Sequence, residues 1–241
     1  MKTMLLSLTL GLPLVFAAAD TGSAAEAALP VLDTAHTAVV ITDPQNDFLD
    51  KNGKLYGLLA DNMKALNTIE NIETLMKAAK TADVMLAVDP LVYNALDTDW
   101  SRAGALQRQL LDMGALQRAS LNDPKGFDGS GADFYGPYKR YIYDGKTVVV
   151  APHKMYGPES NDLIYQLRAR GIDTVVLAGL VANLCVDSHM RALMENGFKV
   201  YVVKDAVAAP GEDAYKAALV NYSMIANGVL TTKDATKALS R

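Results

Sequence analysis

Six short apolar runs constrain this chain more than any other feature: Ala38 to Thr42, Val84 to Val88, Thr147 to Ala151, Thr174 to Ala178, Val200 to Val203 and Gly228 to Leu230. Each is nearly continuous in apolarity, the pattern of strands covered on both faces. The stretches between them carry helical faces. Met63, Leu66, Ile69, Ile72, Met76 and Ala79 recur at three- and four-residue steps, as do Val186, Met190, Leu193 and Met194; further helices are predicted near 161–170 and 213–225. Gly197 stands where the second of these helices should close. Alternating strands and crossover helices predict a parallel sheet. The 241 residues, half of them hydrophobic, supply a core large enough for one α/β domain over residues 30–241.

Residues 1–25 read as a secretory signal: Lys2, an almost uninterrupted apolar stretch from Met4 to Phe16, and small-residue cleavage sites at Ala17-Ala18-Ala19 or Ser23-Ala24-Ala25. The apolar run is shorter than the roughly 20 residues a bilayer span needs. Export to a periplasm or the medium is therefore expected, with no membrane contact once the signal is removed. The balance of 23 Lys plus Arg against 27 Asp plus Glu lacks the basic excess that phosphate-backbone binding requires, so nucleic acid is not an expected partner. The single cysteine, Cys185, cannot form an internal bridge. It is a buried small hydrophobe or a reactive thiol, and its surroundings must decide.

The stretch Asp89 to Gly145 breaks the rhythm, being rich in Gly, Pro, Asp and aromatic residues, among them Tyr93, Trp100, Phe134, Tyr138 and Tyr143. A helix is predicted around Ala103 to Met113. The remainder is too long for an ordinary connection, which leaves a binding loop, a surface excursion and a subunit contact all open.

Chemistry-bearing residues fall at three predicted strand ends, the edge where open α/β sheets place ligands. Asp43 follows the first strand in Ile41-Thr42-Asp43-Pro44-Gln45-Asn46-Asp47-Phe48; on its own it could simply cap a turn. Lys154 follows the third in Ala151-Pro152-His153-Lys154-Met155-Tyr156-Gly157-Pro158. His153 beside it belongs to no visible metal-binding cluster, because His36, His153 and His189 are scattered along the chain. Cys185 follows the fourth in Ala178-Gly179-Leu180-Val181-Ala182-Asn183-Leu184-Cys185-Val186, where it opens an amphipathic helix. Backbone N–H groups and a helix N-terminus lower a thiol's pKa and hold an oxyanion. A neighbouring carboxylate would take the thiol proton and an ammonium would stabilise the charge.

Taken together these segments resemble the isochorismatase-like cysteine hydrolases, a superfamily that includes nicotinamidases and N-carbamoylsarcosine and ureidoacrylate amidohydrolases. The resemblance covers about residues 35 to 232 and continues through Gly197-Phe198-Lys199-Val200 and Val203-Lys204-Asp205-Ala206 to Thr231-Thr232. It implies a Rossmann-like three-layer αβα sandwich with a six-stranded parallel sheet, assembled as a homo-oligomer, and a catalytic triad of Asp43, Lys154 and Cys185. It further implies an oxyanion hole from the backbone N–H groups of Val181 and Cys185, and a cis peptide between Leu180 and Val181. Candidate pocket residues for a small-molecule substrate are Phe48, Tyr93, Tyr156 and Asn183.

Two departures bear on specificity. Nicotinamidases of the superfamily hold a divalent metal through an aspartate and histidines after the second strand, whereas Asp89 to Trp100 contains no histidine. No metal and no other cofactor are expected. Where many members have a Ser-Ala-Phe run after the lysine, this chain has Tyr156-Gly157-Pro158-Glu159-Ser160 and is one residue shorter. The expected activity is hydrolysis of an amide-type C–N bond through a thioester. Its alternatives are a vinyl-ether or ester hydrolase on the same scaffold and a binding protein with a vestigial site. A thiol redox protein would lack a resolving cysteine.

Overall fold

All six apolar runs are strands of one sheet in the computed structural model, which describes residues 29–118 and 126–240; the expected signal at 1–25 lies outside the described residues. The strands are β1 (Thr37–Thr42), β2 (Met85–Asp89), β3 (Val148–Val149), β4 (Thr174–Leu180), β5 (Lys199–Ala208) and β6 (Gly228–Leu230). They pair in parallel in the order β3-β2-β1-β4-β5-β6. The order reverses beside β1, so the C-terminal ends of β1, β2 and β4 open on one crevice.

The helices are α1 (Tyr56–Leu66), α2 (Thr68–Thr81), α3 (Ala105–Asp112), α4 (Leu163–Arg168), α5 (Asp187–Glu195), α6 (Glu212–Ile225) and α7 (Thr232–Leu239). Strand periodicity sorts them into layers. On β1, Val39 and Ile41 pack with α1, α2 and α7 residues such as Met63, Ile72, Met76 and Ala235, while Ala38 and Val40 pack with Leu167, Met190, Leu193 and Tyr222 of α4, α5 and α6. The result is a three-layer α/β sandwich with two cores sharing one sheet.

Several boundaries differ from the sequence expectation for physical reasons. The periodic face from Met63 to Ala79 predicts one helix, but Asn67 at φ 54° ends α1 and starts α2; a one-residue left-handed break leaves the apolar spacing almost intact. β3 is only two residues long because it lies at the sheet edge. β5 runs past its apolar stretch through Lys204 and Asp205, since the Asp205 carboxylate turns away to accept from the Thr232 N–H and hydroxyl at the start of α7. α7 itself, capped by the Thr231 hydroxyl accepting from the Asp234 N–H, was not foreseen.

Among the described residues much of the aromatic stretch is core, while Tyr143 is exposed. Tyr93, Phe134 and Tyr138 are buried, with Trp100, Tyr135 and Tyr141 packed against them, and the Tyr138 hydroxyl donates to the Ile69 carbonyl. Gln45 and Asp47 stitch this stretch to the sheet edge. The Gln45 amide donates to the Leu91 and Ala132 carbonyls and accepts from the Leu91 N–H, while Asp47 accepts from the Lys54 and Leu116 N–H groups.

Candidate active site

At the end of β1 the chain turns abruptly. Asp43 is held at φ 52°, a conformation few non-glycine residues adopt and one that clusters at functional sites. Its N–H donates to the Asp89 carbonyl at 2.9 Å and its carbonyl accepts from the Gln45 N–H at 2.8 Å. The carboxylate is wholly buried. At the end of β4, Gly179 lies so close to β1 that an added Cβ would stand 2.2 Å from the Thr42 carbonyl oxygen, and its φ of 116° is one only glycine holds easily. The Leu180–Val181 peptide that follows is cis. A π-helical turn, Ala182–Val186, then leads into α5, with the Val181 carbonyl accepting from the Leu184 and Val186 N–H groups on either side of Cys185.

These two strand ends bring Asp43 and Cys185 together. The third member is His153: one side-chain ligand atom from each of Asp43, His153 and Cys185 lies within 4.8 Å of the other two. His153 Nε2 meets Asp43 Oδ1 at 2.9 Å with both side chains fully buried. Burial opposes charge on the imidazole, but the Asp43 carboxylate outweighs it and raises the His153 pKa above its ordinary value. Asp43 Oδ2, buried and without another hydrogen-bond partner among the described residues, is the oxygen left for the thiol.

Lys154 does not complete this cluster. Its Nζ bonds Asp97 Oδ2 at 2.5 Å and the Val92 carbonyl at 3.1 Å, and Asp97 in turn closes a capping box with Asn94. The reason lies in the backbone. At His153 the chain runs beside Leu91 in an isolated parallel bridge, pinned by the His153 N–H donating to the Pro90 carbonyl and by the Val92 N–H donating to the His153 carbonyl, and it bends at Lys154. His153 thus meets Asp43 while Lys154 meets Asp97.

The thiol rests protonated. Burial, then the nearby Asp43 carboxylate, push the Cys185 pKa well up, against the lowering effect of the Val181 N–H. Its Sγ–H donates to the Met155 carbonyl at 3.3 Å. A helix start lowers a thiol's pKa, but here desolvation and a neighbouring negative charge outweigh that dipole.

Behind His153 lies a second buried pair absent from the sequence reading. His189 and His153 meet edge to face with ring centroids 5.1 Å apart. His189 Nδ1 lies 2.7 Å from the Cys185 carbonyl and Nε2 lies 2.9 Å from Asp89 Oδ2. A carbonyl only accepts, so Nδ1 carries a proton; a second proton must then sit between Nε2 and Oδ2, or two acceptors would face each other. Two of the three scattered histidines thus converge, and only the fold discloses it. Asp89, His153 and His189 also bring ligand atoms within 4.8 Å, but Asp89 has one oxygen taken by the Asn161 amide and the other by His189. Asp89 and His189 thus satisfy one another, while His153 Nδ1 is buried without a hydrogen-bond partner among the described residues.

Cys185 opens on a cavity of about 180 Å³ whose lining includes Phe48, Leu55, Leu59, Leu110, Met155 and Tyr156. Of the four candidate pocket residues, Phe48 and Tyr156 line this cavity. Tyr93 is instead a core residue whose hydroxyl meets Met155 Sδ at 3.2 Å. Asn183 does not line the cavity; its Oδ1 is buried without a partner among the described residues. The leucines of α1 and α3 escaped the sequence reading because amphipathic helices signal a core face, and nothing in periodicity distinguishes core from cavity wall.

Fold and site together define a doubly wound α/β protein in which a thiol, a carboxylate and an imidazole meet at the C-terminal edge of the sheet. Residues 37–234 match the family described as the isochorismatase domain, and the chain belongs to that family of hydrolases. It is similar to a ureidoacrylate amidohydrolase of Enterobacter sp. (strain 638), 26% identical over 210 residues covering 85% of this chain and 90% of the relative. The crystal structure of a cysteine hydrolase from Pseudomonas syringae pv. phaseolicola 1448A shares the fold with a TM-score of 0.70 at 22% identity, covering 89% of this chain and 98% of that one. That of the N-carbamoylsarcosine amidase from Thermoplasma acidophilum does so at 0.60 and 20%, covering 81% and 96%.

Proposed function

We propose that this protein hydrolyses an amide-type C–N bond in a small molecule, with Cys185 as nucleophile, Asp43 as proton carrier and His153 as the charge that orients Asp43. The supporting observation is the convergence of thiol, carboxylate and imidazole, with the thiol opening on a cavity: a nucleophile with its base and the base with its orienting group.

The resting thiol gives its proton to Asp43 as Sγ bonds the substrate carbonyl carbon, and the oxygen takes negative charge against the N–H groups of Val181 and Cys185. Asp43 passes the proton to the nitrogen, the C–N bond breaks and the amine leaves a thioester. Water then gives a proton to Asp43 and attacks the thioester; the acid departs and Sγ recovers its proton. His153, hydrogen-bonded through Nε2 to Asp43 Oδ1, holds that carboxylate in place while its protonation state cycles. No cofactor takes part in these steps. The exported location and the homo-oligomeric state belong to the same proposal.

Cys185→Ala should abolish amine release from a panel of small amides, and modification of the protein by a thiol-directed electrophile, while circular dichroism stays unchanged. Undiminished amine release from the folded variant would reject the assignment. Release of a carbonyl product without amine would move the reading to an ester or vinyl ether on the same site.

A further inference from the structure

Building on that reading, we infer that the substrate presents to Cys185 a neutral, apolar acyl group of roughly six carbons, and that acyl groups ending in a carboxylate are excluded. Three observations carry this. The wall of the cavity over Cys185 is apolar throughout, supplied by Phe48, the leucines of α1 and α3, Met155 and Leu184. Among the described residues no arginine or lysine lines it. The neighbouring cation, Lys154, is already bonded to Asp97 and the Val92 carbonyl.

A carboxylate taken into such a space would lose its water and gain no partner, which is strongly unfavourable. The fixed charge nearest the thiol is itself a carboxylate, Asp43, balanced by His153. An apolar chain meets the opposite situation. A leucine- and phenylalanine-lined cavity of about 150 Å³ accepts a benzene-sized guest, so about 180 Å³ has room for roughly six carbons. Leu58, 59% exposed, stands at the rim and continues the apolar surface outward.

The test separates binding from chemistry. Equilibrium binding of acetamide, butanamide, hexanamide and the monoamide of adipic acid is measured on the folded Cys185→Ala protein, which needs no catalysis. Affinity should rise about fourfold per added methylene up to hexanamide, and the adipic monoamide should bind at least tenfold more weakly than hexanamide. Leu110→Arg should reverse that preference. Flat affinity along the series, or equal or tighter binding of the carboxylate, would overturn the inference. In the unsubstituted protein the same amides report amine release: ordered binding without any Cys185-dependent release would sink the proposed chemistry while leaving the pocket assignment standing.

Discussion

Two adjacent residues, His153 and Lys154, part ways at the site: His153 meets Asp43 and Lys154 meets Asp97. Their order in the chain gives no hint which faces Asp43, and the lysine is the residue type that the family resemblance implies. The backbone bonds at Pro90 and Val92 hold His153 in its bridge with Leu91, with its imidazole on Asp43, and the chain bends at Lys154. His153→Ala should therefore lower kcat/KM by about a hundredfold or more, the range for losing a group that supports proton transfer, and should cost about 3–5 kcal/mol of stability by leaving Asp43 buried without its partner. Lys154→Ala removes a pair at a partly open position, 27% exposed on the lysine side, where ion pairs are worth about 1 kcal/mol or less; it should change kcat/KM by less than tenfold. Steady-state kinetics and urea unfolding of the two variants check this, and equal losses in both would contradict the geometry.

Elements, by contrast, were largely legible. Strands buried on both faces announce themselves by apolar continuity, and all six appear where expected, with ends that move only where a side chain finds an unforeseen partner, as Asp205 does at α7. What periodicity could not supply was the closeness of β1 and β4. That closeness depends on Gly179, where a Cβ would meet the Thr42 backbone. Gly179→Ala should cost more than about 3 kcal/mol, since it combines a forbidden backbone angle with a clash against an immovable strand. Any folded fraction should have Asp43 and Cys185 out of register. Thermal unfolding and thiol-labelling rates measure the two effects separately; a Gly179→Ala protein with unaltered Tm and labelling would show that the strands can part without consequence.

For the whole molecule, the buried His153–Asp43 pair couples stability to pH. The His153 pKa is raised on folding, so below about pH 6.5, the value of a free histidine, the proton is bound in both states and the stabilisation is complete. As pH rises the unfolded chain releases its proton first, and stabilisation is lost progressively until the folded-state pKa is passed. The apparent Tm should therefore fall from about pH 6 upward, and fall less in His153→Gln. His36, raised by Asp33 at the surface, is common to both proteins and cancels in the difference. A parallel pH profile for the two proteins would mean that His153 does not carry the proton. From the sequence alone came the doubly wound sheet, the strand ends and the two residues Asp43 and Cys185, because burial and turn chemistry are written locally in residue type. The imidazole in place of the ammonium, the His189–Asp89 pair and the apolar character of the cavity came only with the tertiary structure. Each depends on which face of a segment looks inward and on what lies opposite, and a single residue of register or one crossing chain decides that.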